Sequence, residues 1–105
     1  MTEFIIFPLS PATESRLMTL FVYSNVEEAK QLLTTECGNN LTSSKIMDAK
    51  LLERLRFAVL KLSDGTIEGL VEALVLAQTD WRDLLMAAGF GTDVISHLNW
   101  RPRTP

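Results

Sequence analysis

Apolar residues recur along this chain at the three-to-four-residue spacing of α-helices, and residues that cap or stop a helix break the pattern at intervals. The first clear helix starts at Ser24 or Asn25. Ser24 and Glu27 have the spacing of a capping box, in which hydroxyl and carboxylate satisfy backbone N–H groups left free by the first turn. Val26, Ala29, Leu32 and Leu33 then share a face, Cys37 marks the last turn, and Gly38-Asn39-Asn40 tolerates the positive φ of a helix end. The next helix is the longest, from Ser43 or Ser44 to about Leu62, and Ser63-Asp64-Gly65 stops it. Thr66 caps a third, lined by Ile67, Leu70, Val71, Leu74 and Ala77, with Glu68 and Glu72 opposite and Leu76 out of register. Thr79 or Asp80 caps a short fourth helix, where Trp81, Leu84, Leu85 and Ala88 share a core face and Gly89 ends the run. Thr92 or Asp93 caps a last turn or two containing Val94, Ile95 and Leu98, before Trp100-Arg101-Pro102 interrupts regular structure.

Residues 1–23 carry two patterns at once. Phe4–Phe7 and Leu17–Tyr23 are aromatic and β-branched runs suited to a β-hairpin. Ser10-Pro11, however, is a good helix start, and Leu17, Leu20 and Phe21 follow on a helical face. The predicted architecture is therefore all-α: a small bundle of about five helices in a single domain over 1–105. Segment 1–23 stays open between helix and β-hairpin, and 101–105 is a loose tail.

The longest helix has two apolar faces. Leu51, Leu52, Leu55, Ala58, Val59 and Leu62 form one stripe, while Ile46, Phe57 and Leu60 gather nearly opposite. A central helix covered on both sides by its own neighbours explains this, and so does a partner. A chain of 105 residues has few other helices to cover both faces, so the second face predicts a symmetric homodimer anchored by Phe57.

Composition narrows the possibilities. Apolar residues make up 47% of the chain and charged residues 22%, which suits a packed domain rather than a disordered one. A net charge of -3 disfavours a polyanion, and nucleic acid is not an expected partner. The junction at Gln78-Thr79-Asp80 looks superficially like a helix-turn-helix, yet its second helix offers DNA only Arg82, beside Asp80 and Asp83. Cys37 is the lone cysteine, which excludes an intrachain disulfide and suits a reducing cytoplasm. Glu3 and Pro8 spoil any signal peptide, and charged residues interrupt every candidate membrane span, so no membrane association is expected.

Catalytic chemistry finds little support. His97, the single histidine, stands one helical turn after Asp93, but no recognisable nucleophile or oxyanion motif accompanies the pair; an ordinary cap and a surface histidine is the simpler reading. One His and one Cys far apart give no metal-ligand spacing, no Glu-x-x-His pair occurs, and the glycines form no phosphate-cradling loop. No cofactor or metal is expected. The expected function is a non-enzymatic helical protein–protein interaction module, a small regulator, adaptor or assembly subunit. Its candidate partner-binding residues are Ile46, Phe57, Leu60, Arg82, His97 and Trp100. Trp100 is split between packing over the bundle and presentation to a partner. The alternative is a small-ligand-binding protein or enzyme with an unorthodox site near Asp93, His97 and Arg82.

Overall fold

The computed structural model describes residues 8–38, 49–91 and 95–102. Five helices are present among them: α1 (Pro11–Leu20), α2 (Val26–Glu36), α3 (Ala49–Ser63), α4 (Ile67–Thr79) and α5 (Trp81–Ala88). Short 3-10 turns occupy Tyr23–Asn25 and Ser96–Asn99. Helical residues account for 78% of the described chain and no strand occurs in it, so the all-α bundle stands.

Local chemistry sets most boundaries. Ser10 Oγ accepts the Thr13 N–H at 3.1 Å, with Pro11 in the first turn of α1, so helix replaces hairpin over this part of 1–23. Phe4–Phe7 lie outside the described residues. The Ser24–Glu27 capping box does not form: Tyr23–Asn25 folds as a 3-10 turn that takes in Ser24, and Asn25 enters α2 without a side-chain cap bond. The expected start of the long helix at Ser43 or Ser44 also lies outside the described residues. Its end is as the turn signal predicts, with Asp64 (φ 54°) and Gly65 (φ 81°) in the left-handed region. A Cβ on Gly65 would stand 2.7 Å from the Leu20 carbonyl oxygen, so the α3–α4 turn abuts the end of α1 only because this residue is glycine. Thr66 Oγ1 caps α4 by accepting the Gly69 N–H at 2.9 Å. Asp80 Oδ1 caps α5 by accepting from Arg82 and Asp83, and Gly89 ends it at φ 80°.

The core is organised around α3, which packs against α1, α4, α5 and the turn Ser96–Asn99. Every residue from Leu55 to Leu60 is buried. Leu52, Leu55, Ala58 and Val59 join Leu70, Ala73, Leu74 and Ala77 of α4, Leu84, Leu85 and Ala88 of α5, and Leu17, Phe21, Ala29 and Leu33 of the N-terminal helices in one apolar cluster. Phe57 and Leu60 belong to the same cluster, both with 0% exposure. This corrects the expected dimer face. The chain covers both stripes of α3 itself, so neither Phe57 nor Leu60 is available to a second copy, and Ile46 lies outside the described residues.

Candidate functional site

Three of the candidate partner-binding residues do meet, but inside the molecule. The His97 ring stands edge-on to Phe57, centroids 5.0 Å apart, and to Phe90 at 6.2 Å; the Trp100 ring lies 6.3 Å from Phe57. Where a surface histidine is expected, His97 is buried. Within the 3-10 turn Ser96–Asn99, His97 points inward, while Leu98 and the preceding Ile95 are exposed.

Arg16 of α1 closes the cluster from the other side. Its Nε donates to the Trp100 carbonyl at 3.0 Å and its guanidinium also reaches the carbonyls of Ala12 at 3.1 Å and Leu98 at 3.4 Å. The same guanidinium lies 4.3 Å from the centre of the Phe57 ring, a cation–π contact. One buried cation thus holds the C-terminal segment by two of its carbonyls while stacking on the residue that the segment covers. Separately, Arg54 of α3 donates to the Phe90 carbonyl at 2.7 Å, just after the end of α5. Glu53 accepts a hydrogen bond from Ser10, whose hydroxyl also lies 2.9 Å from Thr13 Oγ1.

Electrostatics favour a neutral His97. Burial pushes its pKa below the usual imidazole value; Glu53 opposes the change, while Arg54 and Arg16 reinforce it. Its Nδ1 is buried and meets no hydrogen-bond partner among the described residues. Arg16 is itself lowered by burial first and by Arg101 second, against the pull of Glu53, but a guanidinium stays charged at neutral pH.

A second buried cation ties down another part of the fold. Arg56, 3% exposed, donates to the carbonyls of Cys37 at 2.9 Å and Pro8 at 3.0 Å. Burial pushes the Cys37 thiol up to about 12, with Arg56 opposing, so the thiol is neutral at physiological pH and has no nucleophilic form there. Ser10 Oγ, which donates to Glu53, also caps α1 by accepting the Thr13 N–H. No three His, Cys, Asp or Glu side chains gather as a metal set among the described residues.

The alternative grouping of Asp93, His97 and Arg82 is not assembled by the described residues. His97 is enclosed by Phe57 and Phe90, exposed Arg82 lies over the Trp81 ring at 5.3 Å, and Asp93 is outside the description. Trp81 is half-buried against the core rather than fully within it.

Sequence reasoning missed Arg16 and Arg56. For Arg56 a signal existed: it stands one turn from both Leu52 and Leu60 on α3, inside an apolar row, where a cation demands a buried acceptor. Arg16 gave none, since its acceptors lie at the far end of the chain.

The outer surface differs from the core in kind. Val71 and Val75, one turn apart on α4, are 44% and 56% exposed, although Val71 is expected on the core side. Glu68 and Glu72 share that outward face, and α4 contains no Lys or Arg. Beside it lies a groove of about 190 Å³ lined by Leu62, Gly69, Glu72, Ala73 and Leu76. Leu76, out of register in the sequence pattern, is therefore a wall of this groove. No helix among the described residues is long and apolar enough to cross a membrane. Compared with protein-family models, with curated proteins and with solved structures, the chain matches none.

Proposed function

We propose that this chain is a non-enzymatic helical protein–protein interaction module, a regulator, adaptor or assembly subunit, and that α4 presents its binding face. What carries the reading is the pairing of exposed Val71 and Val75 with the adjoining groove at Leu62, Ala73 and Leu76. The chemistry of that face selects the partner. Glu68 and Glu72 flank the valines with no basic residue on the helix, which favours an amphipathic segment whose apolar stripe is bordered by Lys or Arg. A homodimer through the same face would set these carboxylates against their own copies, so a different protein suits it better than a second copy.

The test is quantitative co-purification from native lysate with wild type and a Val71→Ser, Val75→Ser double variant, both checked for equal melting temperature. A specific protein retained by wild type, lost by the variant and released by raised salt supports the proposal. Identical co-purifying proteins from both chains would overturn it.

A further inference from the structure

We propose that residues 95–102 form a pH-operated strap, closed over Phe57 while His97 is a neutral imidazole and released, with the helical body intact, when that imidazole takes a proton from solvent. Contacts on both sides of His97 hold the segment against α1 and α3. Arg16 grips the Leu98 and Trp100 carbonyls, the His97 ring packs on Phe57 and Phe90, and Trp100 closes over Phe57. On its outer side, Ile95 and Leu98 are 60% and 45% exposed.

Protonation acts on the centre of this contact. A protonated imidazole carries N–H on both ring nitrogens, and the buried Nδ1 has no acceptor among the described residues. The charged groups around it are mostly of the wrong sign. From α1 comes Arg16 and from α3 come Glu53 and Arg54; Arg101 of the strap acts on Arg16, and Lys61 of α3 lies 5.0 Å from the centre of the Phe90 ring. Glu53, the single carboxylate in this group, already accepts from Ser10.

The sign follows from linkage. The docked imidazole binds its proton less readily than the free one, whose ordinary value is 6.5, so docking has full strength above that pH. Below it, docking weakens as the pH falls until the lower docked value is passed. Between pH 7.5 and 5 ordinary carboxylates remain ionised, and the window belongs to the imidazole. Release uncovers Phe57 and Phe90 and frees Trp100, adding an apolar surface that the closed form hides.

The chain has two tryptophans, so Trp81→Phe leaves Trp100 as a single reporter. Its emission and its quenching by acrylamide are followed from pH 7.5 to 5 beside far-UV circular dichroism. The expected result is a red shift and severalfold stronger quenching below pH 6.5 at constant helical signal, both abolished by adding His97→Phe. His97→Gln, which cannot be charged either, serves the same purpose if the phenylalanine variant does not fold. A flat Trp100 response overturns the proposal, as does a response that survives both His97 replacements or one that coincides with loss of helix.

Discussion

Replacing Phe57 with alanine separates an intrachain core from an interface between copies. The side chain has 0% exposure, and removing a buried phenylalanine costs about 3–5 kcal/mol. The ring also stacks under Arg16 at 4.3 Å and meets His97 edge-on at 5.0 Å. Such cation–π and aromatic contacts contribute about 0.5–2 kcal/mol beyond area burial, which places the loss in the upper half of the range, about 4–5 kcal/mol. At about 2.1 cal/mol/K of unfolding entropy per residue, a chain of 105 residues loses about 4–5 °C for each kcal/mol. The melting temperature should therefore fall by about 16–25 °C. Phe57→Leu loses the ring contacts but leaves a smaller cavity, and should cost less than the alanine replacement. Thermal melts followed by circular dichroism over about a hundredfold range of protein concentration decide the matter, because a core residue shifts the midpoint equally at every concentration. A fall of less than about 5 °C, with a midpoint that rises with concentration in wild type but not in the variant, would refute the placement of Phe57 in the core.

Other consequences are as direct. Cys37, with a thiol pushed up to about 12 and no exposure, should resist a thiol reagent at pH 8 in the native protein and react at once in denaturant; comparable native and denatured rates would contradict its burial. Arg56→Met leaves the Pro8 and Cys37 carbonyls without their donor and should destabilise the fold by about 1–3 kcal/mol in urea titrations, whereas an unchanged midpoint would show that the clamp does not matter. Asp80→Ala removes the cap of α5 and should cost about 1 kcal/mol, while Asp80→Asn retains most of it; equal losses in both would argue against capping through Oδ1.

The helical class and most helix ends were legible because their causes are local. Thr66, Asp80 and Gly89 act within a turn of where they stand, and the turn at Asp64 and Gly65 needs only the left-handed backbone these residues adopt. The capping box at Ser24 failed for an equally local reason, since a 3-10 turn took the residues that were to form it. What could not be read was the meeting of distant parts. Two apolar stripes on α3 are compatible with a partner or with the chain's own strap, and the choice rests on Arg16 reaching Leu98 and Trp100 from the opposite end of the sequence. The burial of His97 rests on its packing against Phe57 of α3, a distant contact that no local pattern reveals. In the candidate site, residue types were recognised where burial was not: Phe57, His97 and Trp100 do form one cluster, facing inward.

The claim on which the rest depends is that the Phe57 face of α3 is covered by residues 95–102 of the same chain. Isotope-filtered NOESY at neutral pH, on uniformly labelled protein and on a mixture of labelled and unlabelled copies, tests it most directly. Ring centroids 5.0 and 6.3 Å apart place edge protons of Phe57 within range of the His97 and Trp100 rings. The structure predicts Phe57–His97 and Phe57–Trp100 cross-peaks in the labelled sample and none between labelled and unlabelled chains in the mixture. Cross-peaks that appear only between chains, or the absence of any contact from Phe57 to these two rings, would contradict it.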